Sequence, residues 1–407
     1  MNKNIKYIAR SLEPVLKKAV REFPAVLLTG PRQSGKTTLL KKLFQRKGTI
    51  VSLDLPDIRD FAQQDPRGFL ASTSRPLILD EIQYCPELLP YIREEIDSNR
   101  SQHGRFILSG SQNILLSNTI SESLAGRVGV FHLFSLTQRE IFGQPKKLFP
   151  WEKHPLKQSH FKMNEFWNGQ IIGTFPELHS GKSRNISNWH SSYIQTYLER
   201  DVRTLRNIGD LKAFQVFLRL IASRCAQLLN LSEIARDVGI STNTAKAWLS
   251  LLEESFQIFL LSPYFENMGK RLIKSPKVFF PDSGTLSWLL GLKDSDHASF
   301  GPSSGAIFEN AVVSEIYKSY FHRGEQSRMY FWRTSNGAEV DLIVEREGRL
   351  IPIGIKSSST PNSKMLGGLK LFRETFQKKV DSVWLASSYI GEMTSVCDVQ
   401  LINVNSI

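Results

Sequence analysis

Cysteine is scarce in this chain of 407 residues: Cys85, Cys225 and Cys397 stand far apart. Their number is odd and their spacing matches no metal-ligand pattern, which argues against a disulfide framework and fits a reduced, cytoplasmic protein. Long apolar runs are missing as well. No stretch of about 18 apolar residues occurs, so no membrane-spanning helix is expected. The opening MNKNIKYIARSLEPV lacks the apolar core and small-residue cleavage site of a secretory leader. Internal repeats and low-complexity tracts are absent, and a composition of 41% hydrophobic and 22% charged residues is that of a folded protein. Acids are in deficit: 39 Asp and Glu stand against 52 Lys and Arg, for a net charge of +13. Such an excess attracts polyanions, nucleic acid first and a membrane surface second. The length is too great for one compact core and predicts two or three domains.

What is present begins at residue 25 with AVLLTGPRQSGKTTLLKKLF. Ala25 to Leu28 has the length and flanks of a buried strand, and Thr38-Leu39-Leu40 opens a helical spacing. Between them Gly30, Pro31, Arg32, Gln33, Ser34, Gly35, Lys36, Thr37 and Thr38 form a Walker A loop in the strand–loop–helix setting that this motif requires. Main-chain N–H groups at the helix start face phosphates, Lys36 adds a point charge for the β- and γ-phosphates, and the Thr37 hydroxyl can bind magnesium. The cofactors implied are ATP and Mg2+.

A second strand, Leu77 to Leu79, runs into Asp80 and Glu81. Asp80 is placed to hold the metal through water, and Glu81 to orient and deprotonate the attacking water. A third strand, RFILSGSQ, ends in small polar residues suited to sensing the γ-phosphate, with Ser109, Ser111 and Gln112 all eligible. Arg127, in SLAGR, stands either as an arginine finger completing a neighbouring subunit's site or as a structural arginine capping a helix.

GPRQSGKTT, LILDEIQYCPELL, RFILSGSQ and SLAGRV together resemble a family of prokaryotic AAA-type (AAA+ superfamily) ATP-binding proteins. The likeness continues through YLERDVRTL, LLNLSEIARDVGIS, KRLIKSPKVFFPDSG, GAIFENAVVSEI and SNGAEVDLI, nearly the whole chain. It implies an α/β fold class: a P-loop NTPase core of AAA+ type with a parallel sheet, a winged-helix module, and an α/β restriction-endonuclease-like domain. The corresponding boundaries are 1–142 for the core, 143–210 for a helical lid and linker, 211–295 for the winged helix and 296–407 for the nuclease-like domain. Within the second segment, PKKLFPWEKHPLKQS reads as an inserted loop. Arg200 and Arg203 are candidate nucleotide-sensing arginines of the lid, or surface ion-pair partners of Glu199 and Asp201.

The segment LLNLSEIARDVGISTNTAKAWLSLLEES has a helix-turn-helix cadence, with Ser232 and Ser241 or Thr242 as helix caps and Gly239 in the turn. Thr242, Asn243, Thr244 and Lys246 would face a major groove, and Lys270, Arg271, Lys274 and Lys277 would form a basic wing on phosphates. The partner is then DNA; the alternative is a lid packed on the core or on a partner protein. Further on, a helix at 305–316, a strand at 330–333, a turn at Ser335-Asn336-Gly337 and strands at 339–345 and 350–356 look like a PD-(D/E)xK nuclease core. In that likeness Glu309, Asp341 and Lys356 gather at a metal site. Gly354 stands where such a site has an acid, and strand alternation puts it on the face of Lys356. One carboxylate fewer weakens a hard-cation site severely, so the likeness implies a fold that has lost cutting activity.

Overall fold

The computed structural model describes residues 7–111, 123–152, 163–181, 184–197, 202, 210–266, 275–326, 328–391 and 394–407. Two sheets organise it. The first comprises β1 (Ala25–Thr29), β2 (Thr49–Ser52), β3 (Leu77–Asp80), β4 (Phe106–Gly110) and β5 (Val128–His132), in the order β2-β3-β4-β1-β5. All its pairs are parallel. Strands of such a sheet are apolar on both faces because helices cover both. Alternation along the chain sends Leu27, Leu77 and Leu79 into one buried layer and Val26, Leu28 and Ile78 into the other. At about 2 kcal/mol for each fully buried leucine or valine, these layers fix the register that aligns the carboxyl ends of β1, β3 and β4.

The second sheet has eight strands, β6 (Phe259–Pro263), β7 (Lys277–Phe279), β8 (Met329–Arg333), β9 (Glu339–Arg346), β10 (Arg349–Lys356), β11 (Trp384–Ser387), β12 (Ser395–Val396) and β13 (Val399–Asn403). Their order is β12-β13-β11-β10-β9-β8-β6-β7. The long helix Ser304–His322 covers one face through Ile307, Phe308, Val312 and Ile316, and the helix Gly367–Thr375 covers the other through Leu369 and Phe372.

Helices Leu211–Ser223, Leu231–Val238 and Thr242–Glu254 share a separate core built on Phe214, Phe217, Ile234, Trp248 and Leu252. Gly239, at φ +80°, ends the second of them and donates its N–H to the Ala235 carbonyl at 3.0 Å. Ser241 caps the third by accepting from Thr244 N at 3.0 Å, whereas Asn230 rather than Ser232 caps the second.

Tertiary packing cuts across the boundaries drawn from sequence. The hairpin β6–β7 follows the three helices but pairs into the eight-stranded sheet, where Ser262 lies opposite Tyr330 of β8. A boundary at 295/296 therefore divides one continuous sheet. The described residues of the segment 143–210 are shared as well. Phe149, Trp151, Phe166 and Trp167 join the core around the long helix, while Tyr193 and Ile194 join that of the three helices. Among the described residues no helix is long and apolar enough to cross a membrane.

Candidate functional site

The Walker A loop leaves β1 at Gly30, whose φ is +149°, and a Cβ there would sit 2.1 Å from the Leu133 carbonyl oxygen. Only glycine fits so close a backbone approach. Gln33 at φ +60° and Gly35 at φ +93° complete the turn into the helix Lys36–Phe44. No side chain caps that helix, which leaves its first N–H groups to an anion. Lys36 is buried, and its ammonium donates to the carbonyls of Gly30 and Pro31, each at 2.9 Å. The ammonium is thereby held against the loop it serves.

Across the loop, the Thr37 hydroxyl donates to Asp80 Oδ2 at 2.7 Å. Ser109 Oγ donates to the other oxygen of the same carboxylate. Glu81 follows in the left-handed region at φ +57°, a conformation that a residue with a side chain adopts at a strain of about 1 kcal/mol or more. Its Oε2 accepts from Gln83 Nε2 and, at 3.3 Å, from Ser111 Oγ. The two serines offered as sensors thus engage different acids. Gln112, the third, lies outside the described residues, as do Arg200 and Arg203.

Lys36, Thr37, Glu81 and Ser111 line a cavity of about 770 Å³, whose walls also include Pro176, Glu177, Arg184, Tyr193 and Tyr197. Arg184 pairs with Glu177 there. Magnesium is a hard cation that takes oxygen ligands, and the Thr37 hydroxyl and Asp80 carboxylate, already in mutual contact, fit it.

Arg127 forms a two-pronged pair with Asp97, Nε to Oδ1 at 2.8 Å and Nη2 to Oδ2 at 3.0 Å, and donates to the Ala125 carbonyl at 2.9 Å. An action in a neighbouring site requires that fork to open. Two contributors carried no motif in the sequence. Gln83 clamps Glu81. Arg10, buried, donates to the Ser34 carbonyl in the loop at 2.8 Å, to the Phe134 carbonyl at 2.7 Å and to Glu140 at 3.1 Å. Nothing local marks an arginine near the N-terminus as a brace for a loop 24 residues away.

Of the residues assigned to DNA, Thr242, Asn243 and Lys246 are exposed and Thr244 is half-buried. Lys270, Arg271 and Lys274 lie outside the described residues. Lys277 does not fit the assignment: it is 3% exposed and its ammonium contacts Glu309 at 2.9 Å and Glu339 at 2.6 Å. A cation so enclosed cannot meet phosphate. Glu309, Asp341 and Lys356 do come together in one cleft, with Lys356 Nζ 3.1 Å from Asp341 Oδ2. Position 354 points elsewhere. A Cβ on Gly354 would lie 3.0 Å from Leu369 Cδ1 and 3.2 Å from Leu385 Cδ1, in the apolar layer under the helix Gly367–Thr375.

Known proteins agree with the first of these sites. An AAA domain matches residues 22–142, and two domains of unknown function, DUF8612 and DUF4143, match 163–296 and 304–398. The uncharacterized protein Rv2008c of Mycobacterium tuberculosis is 32% identical over 349 residues, covering 85% of this chain and 73% of its own. Mb2031c of Mycobacterium bovis matches to the same extent. Among solved structures, the Walker-type ATPase PABY2304 of Pyrococcus abyssi aligns with 70% of this chain and 96% of its own, at 16% identity and a TM-score of 0.43. The chain therefore belongs to the family of these mycobacterial proteins, and its N-terminal part is an AAA-type, ATP-binding domain.

Proposed function

We propose that the protein binds ATP with magnesium in the cavity between the Walker A loop and the helical segments, hydrolyses it, and acts as a nucleotide-driven switch on its middle and C-terminal parts. The observation that carries this reading is the 2.7 Å contact between Thr37 and Asp80, made by residues 43 apart in sequence. It brings the hydroxyl and the carboxylate of two separate motifs to one point.

In this reading the main-chain N–H groups of residues 30–38 and the Lys36 ammonium hold the β- and γ-phosphates. Thr37 and Asp80 would hold magnesium, which supplies positive charge for the phosphate oxygens. Glu81 takes the proton of the attacking water, with Gln83 and Ser111 holding its carboxylate until substrate arrives. Ser109, bonded to Asp80, and Ser111, bonded to Glu81, are placed to register the γ-phosphate. Arg127 acts in a neighbouring copy once released from Asp97. Arg10 transmits the state of the loop: it joins Ser34 to Glu140, and Glu140 Oε1 lies 3.3 Å from His322 Nδ1 on the long helix.

The switch acts on duplex DNA through the exposed Thr242, Asn243 and Lys246, aided by the net charge of +13. The burial of Lys277 removes one member of the basic wing and favours a second reading, docking to a protein partner. ATPase assays with and without duplex DNA separate them. DNA stimulation that weakens steeply with salt supports the first, a flat response the second. Lys36→Ala should lose ATP binding and turnover in either case, and turnover at the wild-type rate in that variant would end the whole reading.

A further inference from the structure

The cleft around Asp341 holds about 500 Å³, and its charged walls are Lys277, Glu309, Arg333, Glu339, Asp341 and Lys356. Three carboxylates face three cations. Converging acids repel one another and need a counter-charge at their centre. In a metal-dependent nuclease site that charge is a divalent ion, which wants several oxygens at about 2.0–2.1 Å. Here an ammonium lies among the acids instead. Lys277 Nζ sits 2.9 Å from Glu309 Oε1 and 2.6 Å from Glu339 Oε1, over the Phe331 ring at 5.5 Å.

We propose that Lys277 is a built-in cation that takes the place of a divalent metal in this cleft, making the C-terminal sheet a metal-independent module. Four observations carry it. Lys277 is the first residue of β7 and pairs with Leu261 of β6, so its main chain is anchored in the sheet. Its side chain is 4% exposed, and that of Glu309 is 15% exposed. Asp341 is occupied by other donors, Ile355 N at 2.6 Å and Lys356 Nζ at 3.1 Å. Among the described residues no cluster of three or more His, Cys, Asp or Glu is arranged to hold a metal ion. A restored acid at position 354 would not reopen the site, because that position faces Leu369 and Leu385.

The test uses the full chain without nucleotide, so it is independent of the ATP reading, and titrates Mn2+ by calorimetry and by the electron paramagnetic resonance of the free ion. Wild type and Asp341→Asn should bind Mn2+ equally. Lys277→Ala should gain one site at least tenfold tighter than any in wild type, lost again in Lys277→Ala/Asp341→Asn, and Mn2+ should raise its melting temperature but not that of wild type. Because Lys277→Ala leaves acids uncompensated, Lys277→Met/Glu339→Gln, which removes one charge of each sign, is the second variant and should also gain Mn2+. Asp341-dependent Mn2+ binding in wild type overturns the proposal. So does the failure of both variants to gain a site.

Discussion

Glu81 and Lys36 line one cavity, and the proposed function gives them separable work. On that proposal Lys36 would hold phosphate in both ground and transition states, whereas Glu81 would act only on the attacking water. Glu81→Gln keeps the shape, the left-handed backbone and the contacts to Gln83 and Ser111, but cannot take a proton. It should lower kcat by about 10²–10⁴-fold while the Kd for ATP stays within a few-fold of wild type. Single-turnover hydrolysis beside equilibrium binding of a fluorescent ATP analogue measures both; an equal fall in each would remove the general-base role. The Asp-Glu pair at a strand end was legible in the sequence because its spacing from the Walker A loop has a chemical reason. Gln83 was not, since an amide two residues past an acid is common and only the αL turn at Glu81 aims it back.

At the scale of elements, β10 shows what alternation alone can mislead. Counting by two puts Gly354 and Lys356 on one face. Lys356 nevertheless sits at the strand end and reaches Asp341, whereas Gly354 lies deeper, under Leu369 and Leu385. Gly354→Asp is therefore expected to bury a carboxylate without a partner. We predict a loss of about 2–4 kcal/mol in urea unfolding and no gain of metal-dependent cleavage. An unchanged midpoint together with new Mg2+-dependent nicking of plasmid DNA would contradict the placement of this strand. The hairpin β6–β7 teaches a related lesson. Its basic residues read as a wing, but Lys277 turns inward because β7 is the edge of a sheet completed by β8 to β13, which lie much later in the chain.

Across the whole molecule, a buried polar network joins the ATP-binding domain to the long helix. Lys318 Nζ donates to the Leu136 carbonyl at 2.8 Å, Gln138 N donates to Glu315 at 2.9 Å, and Phe134 N donates to His322 Nε2 at 3.0 Å. An acceptor Nε2 makes His322 neutral with its proton on Nδ1, toward Glu140. Burial holds His322 below the ordinary histidine range and holds His132 on β5, bonded to Thr29 of β1, down to about 4. For both, the unfolded chain binds more protons between the folded and unfolded values, so stability is full above about 6.5 and falls as the pH drops toward 4. Glu140 has the same sign lower down. Burial pushes its carboxyl up, but the Arg10 charge and hydrogen bonds such as that from Thr137 N outweigh this and hold it below the carboxylate range, so its contribution fades only in stronger acid. The melting temperature should therefore decline from pH 7 to pH 5, by the equivalent of a few kcal/mol, and His132→Asn should flatten that decline. A slope unaltered by the substitution would show that His132 titrates alike in both states.

The sequence by itself determined the nucleotide loop, the acids opposite it and the succession of strands and helices. Those features are local: glycines where the backbone must turn, apolar runs where a strand is covered on both sides, a capping serine before a helix. Only the tertiary structure decided that Arg10 braces the loop, that β6 and β7 belong to the last sheet, that Phe149, Trp151, Phe166 and Trp167 pack in the core around the long helix, and that Lys277 lies among acids. Each of these depends on contacts between residues distant in the chain. A lysine carries the same charge in a solvated wing and in a buried cleft; its neighbours in space set which of the two it becomes.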